Sequence, residues 1–284
     1  MSLVRGAHRP KRRLGQNFLQ DETVRASIVE AAEIQSTDQV LEIGPGRGFL
    51  TDALLAAQPK RIVAVELDRF LGPYLEPIQI VHSNFEVVWG DFLKTPWAAY
   101  SFSSEAPVKV VANIPYYITT PILLQLLQAE RLAREPLETV LPLAERIILM
   151  VQWEVAQRLL AQPGGKDYGS LSLIAQYAAE VSLITRVPAG AFRPKPAVDS
   201  AVVMLKPRHH SHVQVSDPYI LSRVIRSAFQ QRRKTLRNGL LAGGFLRDDL
   251  ERSSCETGIS LSRRAETLSL QEFVGLANAL ATGA

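Results

Sequence analysis

The four residues Asn113-Ile114-Pro115-Tyr116 combine a side-chain amide, a backbone carbonyl stiffened by a following proline, and an aromatic ring. That set suits chemistry on a planar aromatic amine. An exocyclic amine such as the N6 of adenine is a poor nucleophile, because its lone pair is delocalised into the ring. Two fixed acceptors, the Asn113 side-chain oxygen and the Ile114 carbonyl, would take its hydrogens and favour the pyramidal, electron-rich form as an electrophilic methyl approaches in line. Tyr116 would stack on the base once it has left its own stack. No strong base is needed, since the ammonium product is acidic and sheds its proton readily. Asn113, Pro115 and Tyr116 are therefore the candidate catalytic residues; the plain alternative is a strand ending in a tight Asn-x-Pro-Tyr turn.

A second constellation lies upstream. Val40-Leu41-Glu42-Ile43-Gly44-Pro45-Gly46-Arg47-Gly48 closes an apolar strand and opens a helix, with glycines where the backbone must turn tightly beside a ligand. The spacing is Gly-x-Gly-x-Gly and not the Gly-x-Gly-x-x-Gly of dinucleotide enzymes, and no Walker lysine follows, so phosphate binding is disfavoured. Glu66 falls 22 positions after Gly44, where a carboxylate can accept from both hydroxyls of a ribose. Gly90-Asp91 closes the next strand, and Asp91 could accept from the amine of a cofactor's adenine. These residues point to S-adenosylmethionine as cofactor, against the alternative of a structural turn with solvated carboxylates.

The elements that must hold these groups follow from periodicity. Short β-rich runs alternate with helical segments, as in a parallel sheet covered on both faces. Strands are expected at 39–43, 61–67, 86–89, 109–112, 146–151, 181–187 and 200–205, the last two as an antiparallel pair at the sheet edge. Helices are expected after Asp21, at 49–57, near Arg69 until Gly72 and Pro73 break it, from Pro121 to about Arg134 behind a Thr120 cap, at 153–161 and at 171–180. Beyond a linker at 206–212 every segment reads as helix, one starting at Ser216-Asp217-Pro218 and the last with a Ser269/Glu272 capping box. The expectation is an α/β, Rossmann-like seven-stranded sheet of the class I methyltransferase type with a small all-helical C-terminal domain. The boundaries are a basic N-terminal arm at 1–13, a sheet domain at 14–207 and a helical domain at 208–284.

Composition sets the bounds. With 284 residues, 46% of them hydrophobic, the chain can bury a core and a satellite domain, and its net charge of +4 suits a polyanion without requiring one. The single cysteine, Cys255, excludes an intramolecular disulfide and fits a cytoplasmic setting, and no apolar run reaches membrane-spanning length. Arg223, Arg226, Arg232, Arg233, Lys234 and Arg237 fall close together with no acid between them, which suits salt-sensitive attraction to phosphates, or else a merely solvated helical surface. In Phe192-Arg193-Pro194-Lys195-Pro196 the ring is a candidate second stacking surface, with Arg193 and Lys195 near an RNA backbone; a rigid turn is the alternative. His209, His210 and His212 read as a His-rich linker, so no metal is assigned. No heptad calls for a partner copy, so a monomer is expected.

With these motifs in place, the chain resembles the ribosomal RNA adenine N6,N6-dimethyltransferases, and among them the small-subunit (16S) branch. The likeness runs from Leu14-Gly15-Gln16-Asn17-Phe18-Leu19 through Glu42 to Gly46, Val65-Glu66-Leu67-Asp68 and Asn113 to Tyr116, and on to Phe192 to Val202 and Gln231 to Asn238. The resemblance implies that Asn17 and Leu19 line the cofactor pocket with Gly44, Glu66, Asp91 and Asn113. It further implies dimethylation of two adjacent adenosines in the 3′-terminal hairpin of 16S rRNA, within an immature 30S subunit. The 23S rRNA adenine methylases of macrolide resistance share the cofactor and acceptor motifs and are the alternative within the family. An assembly factor with secondary methylation and a nicotinamide-dependent oxidoreductase are alternatives outside it. Three positions depart from the pattern: Ile114 where leucine is common, Tyr117 where asparagine is frequent, and Trp153 where lysine is common, which bears on one expected positive contact to RNA.

Overall fold

The computed structural model describes residues 10–11, 15–103, 106–127, 144–208, 213–231 and 233–282. Arg5, Arg9, Arg12, Arg13, the histidine tract and Arg232 lie outside these, as does the far end of the helix expected to reach Arg134.

The strands in chain order are β1 Phe18–Leu19, β2 Gln39–Ile43, β3 Arg61–Glu66, β4 Phe85–Trp89, β5 Val108–Asn113, β6 Arg146–Gln152, β7 Ala179–Val187, β8 Phe192–Arg193 and β9 Ser200–Pro207. The helices are α1 Glu22–Ala32, α2 Phe49–Ala56, α3 Gly72–Val81, α4 Thr119–Leu126, α5 Trp153–Leu160, α6 Ser170–Ala178, α7 Pro218–Gln230, α8 Leu236–Ala242, α9 Arg247–Thr257 and α10 Leu270–Ala281. Among the described residues one sheet has seven strands in the order β4-β3-β2-β5-β6-β9-β7. β2 to β6 are mutually parallel and β9 runs antiparallel to β6. The chain steps outward from β2 to β4, then returns to start β5 on the other side of β2. The order therefore reverses between β2 and β5, which is where open α/β sheets bind ligands.

The register decides which residues meet there. Ile43 lies opposite both Val65 and Ala112, and Glu66 opposite Trp89. Gly44, Glu66 and Asn113, one step beyond Ile43, Val65 and Ala112, consequently leave the sheet at one level, with Gly90 one residue further on after β4. All five residues of β2 are buried, as a doubly covered parallel strand requires. α1 starts where Asp21 accepts from the backbone N–H groups of Thr23 and Val24, a cap worth about 1 kcal/mol. It buries Val24, Ile28 and Ala32.

Two local expectations change. Gly72 and Pro73 do not break a helix: a 3-10 turn at Arg69–Leu71 leads straight into α3, and Pro73 stands in its first turn, where its missing N–H costs nothing. α4 begins two residues early, at Thr119, so that Thr120 lies inside the helix and does not cap it. A third feature had no counterpart in the periodicity. β1 and β8 pair antiparallel, Phe18 opposite Arg193 and Leu19 opposite Phe192, and so join two segments far apart in sequence.

By internal contacts the chain forms two compact units. The first comprises Met1–Leu126, Thr139–Ala156 and Ser182–Pro207; the second comprises Leu127–Glu138, Gln157–Val181 and Arg208–Ala284. The second has its own core, in which the fully buried Tyr168 donates its hydroxyl to the Leu268 carbonyl at 3.0 Å and Phe229 stacks on Phe273. The capping box of α10 forms as expected, Ser269 Oγ accepting from Glu272 N and Glu272 Oε2 from Ser269 N. No helix among the described residues is long and apolar enough to cross a membrane.

Candidate active site

At the reversal point lies a cavity of about 580 Å³, within the range of sites that hold nucleoside-sized ligands. Its wall includes Asn17, Leu19, Gly44, Glu66, Asp91, Asn113, Pro115, Tyr116 and Phe192. The candidate cofactor and catalytic residues thus meet in one place.

The glycine turn after β2 forms its floor. Gly46 holds φ +61°, and a Cβ there would stand 3.2 Å from the Phe18 ring, so any side chain would push into the cavity wall. Glu66 is 7% exposed at the end of β3, with Oε1 accepting from Asp68 N at 2.8 Å and Oε2 from Gly46 N at 3.2 Å. Burial raises its pKa, while those two backbone donors pull the other way. Asp91 is held by its Oδ1 accepting from Leu93 N at 3.1 Å. A carboxylate fixed at each of two adjacent strand ends, beside an open glycine turn, is the acceptor set expected to hold ribose and adenine of a nucleoside cofactor. No group of His, Cys, Asp or Glu suited to a metal occurs among the described residues.

Another wall is the segment from Gly15 to Leu19, secured at both ends. Gln16 Nε2 donates to Asp68 Oδ2 at 2.9 Å, and Lys11 Nζ reaches Asp68 Oδ1 at 2.7 Å. At the far end Leu19 is held by β8. Lys11, read from the sequence as part of a basic arm, is instead bound to Asp68 and lies over the Phe70 ring at 3.8 Å. Gln16 and Asp68 carried no chemical signal of their own; only their membership of two separate motifs marked them.

Asn113 is the last residue of β5, and the 3-10 turn Tyr116–Ile118 follows Pro115. Tyr116 is half-buried, and its hydroxyl lies 2.6 Å from Ser200 Oγ. Burial raises the tyrosine pKa, so the hydroxyl stays protonated. Phe192 lines the cavity, but only 1% of its surface is exposed and it packs in the core of the first unit. Pairing of β8 with β1 turns the ring inward, whereas Arg193 and Lys195 beside it are exposed. At Trp153, where lysine is common in the family, the Arg186 guanidinium lies over the indole at 4.8 Å and is itself ion-paired with Asp199 at 2.9 Å.

The basic residues of α7, of α8 and of the turn between them divide. Arg226, Arg233 and Lys234 are exposed. Arg223 lies over the Phe245 ring at 4.6 Å, and Arg237 is ion-paired with Glu251. Beneath the glycine turn, outside the cavity, Glu42 is 1% exposed and accepts from Thr51 Oγ1 at 2.7 Å; burial pushes its pKa up to about 8.

Comparison with known proteins agrees with this geometry. Residues 7–282 match the family model described as ribosomal RNA adenine dimethylase. Ribosomal RNA small subunit methyltransferase A of Syntrophotalea carbinolica is 44% identical over 270 residues, 95% of this chain and 96% of that one. Its namesake from Moorella thermoacetica is 42% identical, over 95% and 92% of the two chains. Among solved structures, a dimethyladenosine transferase from Plasmodium falciparum superposes with a TM-score of 0.72 at 26% identity, covering 91% of this chain and 95% of the other. The 23S rRNA methyltransferase ErmE gives 0.68 at 26% identity, covering 93% and 100%.

Proposed function

We propose, since this chain belongs to the ribosomal RNA adenine dimethylase family, that its substrate is the small-subunit RNA: it dimethylates the N6 of two adjacent adenosines in the 3′-terminal hairpin of 16S rRNA, within an immature 30S subunit. The observation that carries this reading is the convergence of Asn113, Pro115 and Tyr116 on the same cavity as Glu66 and Asp91. The choice of 16S over 23S RNA is supported by relatives at 42–44% identity that are named for the small subunit, against 26% for ErmE.

S-adenosylmethionine, when bound, supplies an electrophilic methyl. Glu66 accepts from the ribose hydroxyls and Asp91 from the adenine amine, while Asn17, Leu19 and Gly44 shape the pocket. Asn113 and the Ile114 carbonyl accept hydrogens from the target amine, which aligns its lone pair and stabilises the charge that develops on nitrogen. Such preorganised acceptors act where water is excluded, and removing one costs on the order of 10²–10³ in rate. Tyr116 presents its face to the extruded base, and the apolar wall made by Leu19 and Phe192 keeps water out. The product proton leaves to solvent.

The exposed basic residues Arg193, Lys195, Arg226, Arg233 and Lys234 bind phosphates, the last three from the helical unit; the enzyme works as a monomer in the cytoplasm. The test is methyl transfer from labelled S-adenosylmethionine to unmethylated 30S subunits, with 23S RNA and naked 16S RNA alongside. N6,N6-dimethyladenosine near the 3′ end of 16S RNA is the expected product. Label confined to 23S RNA would overturn the small-subunit assignment.

A further inference from the structure

We propose that Ser200 is a positioning residue for the methyl-acceptor base, acting through the Tyr116 ring; this rests on the reading of Tyr116 as the surface on which the target adenine stacks. The two residues are 84 positions apart, and their hydroxyl oxygens are 2.6 Å apart. Tyr116 opens a short 3-10 turn, so its backbone end is set by Pro115 and the end of β5. The phenol oxygen is the other end of a rigid ring. Pinning both ends fixes the tilt of the ring face, and with it the height and angle at which a stacked base carries its amine.

Ser200 is built as an anchor. It is completely buried, is the first residue of β9, and is paired with Gln152 of β6. The preceding residue is tied down from three directions: Asp199 Oδ1 accepts from Ala189 N at 3.0 Å, Oδ2 from Arg186 at 2.9 Å, and its carbonyl from Trp153 N at 3.0 Å. A serine held this firmly at a sheet terminus, with its hydroxyl aimed at an aromatic ring in the cavity wall, does more than fill space. Alanine would fit the same position without steric cost. The hydroxyl serves the tyrosine, and β9 is thereby coupled to the acceptor turn after β5. Misplacing a reacting atom by about 1 Å can cost on the order of 10² in rate, so a released ring tilt is enough to be seen in turnover.

The experiment measures four enzymes, Ser200→Ala, Ser200→Thr, Tyr116→Phe and the Ser200→Ala/Tyr116→Phe double variant, for kcat and KM on unmethylated 30S subunits. Affinity for S-adenosylmethionine by direct binding and melting temperature are read on the same preparations. Ser200→Ala is expected to lower kcat about tenfold, with cofactor affinity within about twofold of the parent. Tyr116→Phe should lose a similar factor and the double variant no more than either single one, because all three break one bond. Ser200→Thr, which keeps the hydroxyl, should restore most of the rate. Losses that multiply to about a hundredfold in the double variant would overturn the proposal, as would an unimpaired Ser200→Ala enzyme. If Ser200→Ala proves unstable, Tyr116→Phe, which removes the same bond from the half-buried side, decides alone: full activity sinks the proposal. A parent enzyme that methylates no RNA adenine overturns the functional reading instead, and this proposal with it.

Discussion

In the crevice at the sheet reversal, each candidate side chain is placed by backbone that cannot shift alone. Gly44, Glu66 and Asn113 reach one level through the parallel register, and Leu19 and Phe192 through the β1–β8 pair. On α7, on α8 and in the turn between them the candidate residues sit on the surface, and the protein's own groups compete for them. Arg223 is taken up by an aromatic ring and Arg237 by Glu251, leaving Arg226, Arg233 and Lys234 to solvent. On the proposed reading, function in the first region depends on position, so one atom matters; in the second it depends on the summed charge of the residues left to solvent, so each of these counts little alone.

The comparison can be broken hardest at Asn113. Asn113→Ala should lower kcat by about 10²–10³-fold while weakening cofactor binding by less than about tenfold, as read by methyl transfer and by calorimetry. Equal losses in both would mean that the crevice supplies affinity rather than orientation. Next in size, replacing Arg226, Arg233 and Lys234 together by glutamine should weaken RNA binding about tenfold or more at physiological salt, and reduce the slope of log K against log salt by roughly 2 to 3. The loss should be the same on an unrelated RNA. A sequence-dependent loss would show that these side chains read bases, contrary to a summed-charge role.

Glu42, buried under the crevice, tests the cost of its rigid construction. Its pKa in the folded protein stands at about 8 against an ordinary 4.5. Between those values the folded chain keeps a proton that the unfolded chain has lost, so stability falls as pH rises through that window and levels off above it. Glu42→Gln copies the protonated form and should flatten the decline. Melting temperatures of parent and variant measured from pH 5 to about 9 check this, and parallel curves would refute it. The smallest effect is expected at Arg237. Arg237→Ala, which removes an exposed ion pair, should leave the melting temperature within about 2 °C and the salt slope of RNA binding unchanged.

Legibility followed the distance over which each feature is encoded. The strand at 39–43, the caps at Asp21 and Ser269 and the glycine turn are written in a few consecutive residues, and each forms where the pattern placed it. The helix at Gly72 departs from its local pattern because proline and glycine carry two meanings, helix breaker or first-turn residue, and only the neighbouring 3-10 turn chooses between them. Asn17 and Leu19 came from resemblance, since nothing in their side chains announces a pocket. Phe192 was selected for its ring and its place after the catalytic strands; its inward orientation arises from a partner strand at 18–19.

The sequence by itself determined the alternation of strands and helices, the glycine turn, and the acceptor motif at a strand end, because period, capping and turn chemistry are local properties of the chain. It also determined the residue types available for the cofactor and for the base. Tertiary structure alone decided that Leu19 meets Phe192, that Asp68 holds Gln16 and Lys11, that Ser200 meets Tyr116 across 84 residues, and which arginines keep their charge for a partner. The physical reason is that such contacts depend on strand order and register. Those minimise the free energy of the whole fold and are not encoded in any short stretch of it.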